Sequence, residues 1–131
     1  MTELHEILYT STLAPDQTPN VVGQIVSQAR ARNAKHGITG LLVFDGLHFC
    51  QHFEGPTRDV LRLADRLTQD ARHTDVRVLH EGALETRRYQ RFDMGFAEVE
   101  GPEGLAALAQ FDGAAALARF LAMRPRFDIS G

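Results

Sequence analysis

A single cysteine, Cys50, stands among the 131 residues. No intrachain disulfide can form, which suits a reducing compartment. Long hydrophobic runs are missing too. Stretches such as Leu41 to Phe44 fall far short of a bilayer, and the start, MTELHEILYT, lacks the basic-then-apolar pattern of a signal peptide. The expectation is a soluble, cytoplasmic protein with no membrane association. Positive charge is not in excess: 14 Lys and Arg face 17 Asp and Glu, for a net charge of −3 and a pI near 6.0. The electrostatic footprint of a general nucleic-acid binder is therefore absent. One local exception, Arg30, Arg32, Lys35 and His36, closes a predicted helix, where cations complement the negative end of the macrodipole.

Several catalytic signatures are also lacking. No G-x-S-x-G stands in the sequence, and neither Ser11 nor Cys50 has a spacing that ties it to a histidine. No Gly-rich phosphate loop of either standard spacing appears, which disfavours nucleotide hydrolysis. His48 and His52 share a strand face but lie roughly 13 Å apart along an extended chain, too far to grip one ion. They read as solvent-facing or partner-facing histidines.

What is present is enough apolar residue, 44%, for one sizeable core. Leu4 to Ser11 reads as a first strand, with Leu8 on one face and Ile7 and Tyr9 on the other. Thr18 is the expected N-cap of a helix with Pro19 at its first position, an apolar stripe of Val22, Ile25, Val26 and Ala29, and Gly37 at its end. Gly37 to Phe44 is apolar on both faces, as befits a central strand. Asp45-Gly46 is a hairpin signal leading to a third strand. Gly55-Pro56-Thr57 opens a second helix with the stripe Val60, Leu61, Ala64 and Leu67. Val76 to His80 reads as a short fourth strand. Tyr89 to Ala97 reads as a fifth, on which Phe92, Met94 and Phe96 share a face. After a break at Gly101-Pro102, an Ala- and Leu-rich tail should form two short helices parted at Asp112-Gly113.

The order β, α, β, β, α, β predicts an α+β, ferredoxin-like sandwich with an extra strand and C-terminal helices. Residues 1–98 form the expected core domain and 99–131 a helical cap or output segment. Both main helices should cover one face of the sheet and the tail the other.

Three polar residues point inward. Alternation sends Gln51 to the same face as Phe49 and Phe53, where an amide removed from water without a partner costs about 1–3 kcal/mol. Asn33 lies within about 40° of Val22, Val26 and Ala29 at 100° per residue. Tyr9 shares the face of Ile7. Such a trio suits a hydrogen-bonded relay to a ligand or a structural network tying strands to helix. Arg66 and Asp70, four apart, read by themselves as a surface pair.

The segments carrying these residues resemble a known family. Leu8-Tyr9-Thr10-Ser11, Ala31-Arg32-Asn33, Gly37-Ile38-Thr39-Gly40-Leu41-Leu42 and Phe49-Cys50-Gln51-His52-Phe53-Glu54-Gly55 are similar to the BLUF sensors of blue light, which use flavin. The similarity continues through Asp70-Ala71-Arg72-His73 and Arg91-Phe92-Asp93-Met94. It implies a noncovalent flavin, FAD or possibly FMN, between the two main helices and edge-on to the sheet. By that resemblance Tyr9, Gln51 and Met94 are photoactive, Asn33 bonds the polar ring edge, and Ile25, Leu63 and Leu67 give apolar contact. Arg66, Asp70 and His73, taken to share one helical flank, would hold the ribityl and phosphate groups. Light would rearrange the Tyr9 and Gln51 hydrogen bonds, with output through Met94 and the tail to a downstream protein or a homo-oligomer. No catalysis is implied. The family often carries a tryptophan two residues before the methionine. Here Phe92 holds that place and the chain has no tryptophan, so exchange of a tryptophan with Met94 is excluded. An acylphosphatase-like hydrolase on the same fold would want an arginine in the loop after the first strand, and Thr12 to Thr18 contains none. A colourless ferredoxin-like interaction module is the other alternative.

Overall fold

A computed structural model describes residues 3–97 and 104–130, without the side chains of residues 126 and 128–130. In chain order the elements are β1 (Leu4–Leu13), α1 (Val21–Lys35), β2 (Thr39–Phe44), β3 (His48–Pro56), α2 (Thr57–Thr68), β4 (His73–Leu84), β5 (Phe92–Phe96), α3 (Leu105–Leu108), α4 (Gly113–Met123), a 3₁₀ turn (Arg124–Arg126) and β6 (Asp128–Ser130). The sheet has the order β4-β1-β3-β2-β5-β6. Its first four strands are antiparallel neighbours, and β5 joins parallel to β2. That is the ferredoxin-like βαββαβ core expected from the element order, extended by one strand. A sixth strand, β6, pairs with Met94–Phe96. Nothing in its short sequence announces it, because three residues carry no period.

The two faces are covered as the sequence implies. Over one lie α1 and α2, burying Ile7, Tyr9, Leu42, Phe49, Phe53, Phe92 and Met94. Over the other, Leu105, Leu108, Ala116, Phe120, Met123 and Phe127 pack on Leu8, Leu41, Val43, Cys50 and Leu79. Central β2 is apolar on both sides for that reason. The hairpin at Asp45-Gly46 is held by the Asp45 carboxylate, which accepts from the backbone N–H groups of Leu47 and His48 at 3.0 and 2.6 Å. Gly40 is required by contact: a Cβ there would stand 2.2 Å from the His52 carbonyl oxygen.

Several boundaries differ from the sequence reading. Helix α1 begins at Val21, not Pro19. The Thr18 and Pro19 carbonyls accept from Val21 and Val22 in a turn ahead of the helix, and the N-cap is Asn20, without a side-chain cap bond. Leu61 does not belong to the α2 stripe. It is half exposed, and Leu63 is buried instead, because Leu63 follows Val60 at i+3 whereas Leu61 is turned about 100° away. Strand β4 runs twelve residues along β1, far beyond Val76–His80, and β5 starts only at Phe92. Phe96 shares the face of Phe92 and Met94 but stays 48% exposed. The break at Gly101-Pro102 and the 98/99 domain boundary lie outside the described residues.

Candidate functional site

Cross-strand register, not sequence proximity, assembles the site. Tyr9 pairs with Gln51, Gln51 with Leu42, and Leu42 with Met94, so the four stand in one row across β1, β3, β2 and β5. On the face beneath the helices the Tyr9 hydroxyl donates to Gln51 Oε1 at 2.6 Å. Both residues are buried. The bond consumes the acceptor end of the amide and leaves Nε2 as its donor. Burial pushes the Tyr9 phenol well above its ordinary pKa, with Cys50 and Asp70 adding to the effect and Arg32 opposing it, so the proton stays on oxygen at neutral pH. Phe53 and His73 meet the Tyr9 ring edge to face, each with centroids 6.2 Å away.

Two small hollows lie between α1 and α2. The first, about 30 Å³, is lined by Tyr9, Ile25, Gln51, Leu67, Asp70 and His73, among others. The second, about 80 Å³, is lined by Asn33, Leu63 and Arg66 with Ile38 and Asp59. Arg32 borders both. All the expected cofactor contacts thus gather at one cleft, while Met94 lies in the same row but outside these two hollows. Asn33 is fully buried, and neither Nδ2 nor Oδ1 has a hydrogen-bond partner among the described residues. Its backbone carbonyl is used, accepting from His36 and Ile38 where α1 ends. A buried carboxamide with one free donor and one free acceptor is the chemistry that an imide edge requires.

The phosphate-side residues are arranged differently from the sequence reading. Asp70 and His73 are not on a helical flank with Arg66, because α2 stops at Thr68. The Asp70 carboxylate accepts from the Arg72 backbone N–H at 3.0 Å, a local turn that competes with continued helix. Asp70 pairs with the Arg72 guanidinium at 2.7 Å, which holds its carboxyl below the usual range, and Arg72 reaches across to Gln28 of α1. Arg66 is exposed at the rim. His73 opens β4, where Nε2 donates to the Leu67 carbonyl at 2.5 Å and Nδ1 meets the Ser11 hydroxyl at 2.8 Å. Sequence reasoning missed Arg32 and Arg72 as lining residues. Arg72 sits inside the quoted Asp70–His73 motif, and Arg32 lies seven residues after Ile25, on the same side of α1. The Arg32 Nε is buried without a hydrogen-bond partner among the described residues. Burial, with Arg66 and Arg72 nearby, lowers its pKa, partly offset by Asp70 and Tyr9.

His48 and His52 correct a second expectation. His52 has no exposed surface. Its Nε2 meets Glu6 Oε1 at 2.7 Å and its Nδ1 meets the Tyr89 hydroxyl at 2.7 Å, while Arg88 Nε donates to Glu6 at 2.9 Å. His48 is three-quarters buried against Asp45, 3.1 Å away. The face they share was read as open because alternation says which residues share a side, not what covers it. The loop before β5 and the tail cover it, with Phe120 against the His52 ring. Among the described residues no group of three or more His, Cys, Asp or Glu could hold a metal, and no helix is long and apolar enough to cross a membrane.

Known proteins resemble this chain in sequence and in fold. The family model "BLUF: Sensors of blue-light using FAD" matches residues 4–95. The blue light- and temperature-regulated antirepressor BluF of Escherichia coli (strain K12) is 32% identical over 91 residues, 70% of this chain and 23% of that protein. The photoactivated adenylate cyclase subunit beta of Euglena gracilis is 36% identical over 88 residues, 67% of this chain and 10% of its own length. The chain thus spans under a quarter of these curated relatives. Among solved structures, the dark state of BlrB, a BLUF protein, superposes with a TM-score of 0.67 at 28% identity, covering 94% of this chain and 86% of that one. Klebsiella pneumoniae BlrP1 with FMN and cyclic diGMP gives 0.69 at 29%, covering 92% and 34%. A tyrosine bonded to a buried glutamine under two helices and a family match over residues 4–95 lead to one statement: this chain belongs to the BLUF family of blue-light sensors, which use flavin.

Proposed function

We propose that the cleft between α1 and α2 seats the flavin and that the Tyr9–Gln51 bond is its light-responsive element. The observation that carries this reading is the 2.6 Å bond between two buried side chains, one of which can bond in two ways. With Oε1 toward Tyr9 the amide accepts the phenolic proton. After a half-turn, Nε2–H donates to the phenolic oxygen instead. Each arrangement satisfies Tyr9, so they are close in energy, and a small bias selects between them. Bound flavin supplies the blue-absorbing chromophore and an electron acceptor. Asn33 would bond its polar edge, and Ile25, Leu63 and Leu67 would contact the ring. Asp70, His73 and Arg66, with Arg72 and Arg32, would line the ribityl and phosphate side. The two hollows are each too small for a tricyclic ring, so seating it would require the side chains of α1 and α2 that line them, Arg32 among them, to move apart.

FAD is the proposed cofactor, as in the family description; FMN shares the ring contacts. Output would follow the row from Gln51 through Leu42 to Met94 on β5, and from His52 to Phe120 on α4. The chain would signal to a separate protein or through its own oligomer, without catalysing a reaction. The test is optical. Purified protein supplemented with flavin should be yellow, shift its spectrum to the red under blue light and revert in darkness, and the mass of the released cofactor identifies it. Protein that stays colourless, or a bound flavin that never shifts, would overturn the reading.

A further inference from the structure

The buried imidazole of His52 has a place in the output path proposed above, but its proton has no use there. The ring touches three chain segments at once. Nε2 meets Glu6 Oε1 of β1 at 2.7 Å, Nδ1 meets the hydroxyl of Tyr89 at 2.7 Å in the loop that leads into β5, and Phe120 of α4 lies edge to face with centroids 5.5 Å apart. Tyr89 in turn holds the tail: the Arg124 guanidinium lies over its ring, 5.4 Å from the centroid. The loop backbone is fastened separately, because buried Glu54 accepts from the N–H groups of Arg88 and Tyr89 at 2.8 and 3.0 Å. The Tyr89 side chain is therefore the part free to respond.

A proton on His52 changes how that side chain is used. Burial by itself raises the Glu6 carboxyl, but hydrogen bonds from His52 and Arg88 outweigh it and hold it at about 2. Glu6 thus stays ionised where imidazoles titrate, from about pH 8 to about pH 5, and a carboxylate only accepts, so Nε2 carries a hydrogen. Burial keeps the Tyr89 phenol protonated. With Nδ1 bare, it accepts the phenolic hydrogen and both side chains are satisfied. With Nδ1 protonated, the phenolic oxygen must accept instead, and its own hydrogen has no other acceptor among the described residues. Charge works in the same direction. Around the pair stand the carboxylates of Glu6 and Glu54 and the guanidiniums of Arg88 and Arg124, with His80 3.4 Å from Glu6, the Cys50 thiol kept protonated by burial, and exposed Arg87 bonded to Thr39. Two charges of each sign balance while His52 is neutral, so protonation adds a buried charge that nothing offsets.

We propose that His52 is a proton-operated clasp for the C-terminal tail: neutral, it holds the Tyr89 hydroxyl on the sheet with Arg124 seated on the phenol ring, and protonated, it turns Tyr89 away and loosens the end of α4 and the turn after it. The docked tail favours neutral His52, so docking is complete above the imidazole range and weakens as pH falls through it. The proposal rests on the photosensor reading in one respect, that the tail is where output would leave the chain. That output would then answer to acidity as well as to light.

The experiment follows amide hydrogen exchange of the tail in the flavin-loaded full chain, in darkness, from about pH 8 to about pH 5, corrected for the intrinsic rate at each pH. Exchange at the end of α4 and in the turn after it should rise at least about fivefold on acidification. His52→Gln still offers Glu6 a donor but does not titrate, and its profile should be flat. Tyr89→Phe keeps the ring beneath Arg124 and deletes the hydroxyl, and should lose most of the rise. His80→Gln, the control for the neighbouring imidazole, should keep it. A flat profile in the parent, an undiminished rise in His52→Gln or Tyr89→Phe, or a rise abolished by His80→Gln would overturn the proposal. Should His52→Gln not fold, isotope-labelled histidine NMR of the parent decides: the buried imidazole must titrate with the midpoint of the exchange, and a different midpoint refutes the clasp. The flavin spectrum of the same samples separates the two levels. A tail that loosens with acid on protein showing no red shift would refute the photosensor reading and leave the clasp standing.

Discussion

Deleting the Tyr9–Gln51 bond from either side should cost much the same, and deleting both sides should cost little more. In Tyr9→Phe the ring keeps its contacts with Phe53 and His73, but Gln51 Oε1 loses the donor 2.6 Å away while remaining buried. Leaving a buried polar atom unpaired costs about 1–3 kcal/mol. In Gln51→Leu the amide is replaced by an apolar group of similar volume, and the phenolic hydroxyl is left unpaired for a similar about 1–3 kcal/mol. In the double variant no orphan remains, so its loss should fall short of the summed losses by about 1–2 kcal/mol. Urea denaturation of the four flavin-free proteins at one temperature reads this coupling directly. Additivity within about 0.3 kcal/mol would refute a direct bond, since independent sites add to that degree. The three variants loaded with flavin should stay yellow and lose the reversible red shift that the parent shows. A normal photocycle in Tyr9→Phe would remove the bond from the mechanism even if the stability coupling were found.

Asn33 and Glu6 yield two further predictions. Because the Asn33 amide is buried with both polar atoms unpartnered among the described residues, Asn33→Leu should raise the stability of flavin-free protein by about 1 kcal/mol and weaken flavin binding about tenfold; lost stability with unchanged binding, measured by denaturation and flavin titration, would make Asn33 structural. Glu6 is desolvated, which by itself raises its pKa. Hydrogen bonds from His52 and Arg88 outweigh that and hold it at about 2, below its ordinary 4.5. A depressed carboxyl stabilises the fold above its unfolded pKa, so stability should fall as pH drops from about 4.5 through 2. The loss is about 1–2 kcal/mol once discounted for the partly exposed Arg88 and His80. Denaturation midpoints from pH 6 to 2 should show a smaller decline in Glu6→Gln than in the parent protein. Equal declines would contradict the Glu6 assignment.

The amino-acid order alone determined which face the three polar site residues would take. Period two in β3 places Gln51 with Phe49 and Phe53, the same period places Tyr9 with Ile7, and helical phase turns Asn33 inward; all three are buried. The hairpin at Asp45-Gly46 and the stop at Gly37 were also legible, because both rest on local backbone chemistry, Gly37 and Gly46 having φ of +68° and +100°. Only the tertiary structure decided who faces whom. Tyr9 and Gln51 are 42 residues apart, and His52 and Glu6 are 46 apart. Alternation names a side but not a partner, so His52 could be read as solvent-facing until the tail was seen to cover it. The part-buried Arg32 that borders both hollows and the three-residue β6 escaped for a related reason. Each is fixed by a neighbour brought from elsewhere in the chain, and no local period records such a neighbour.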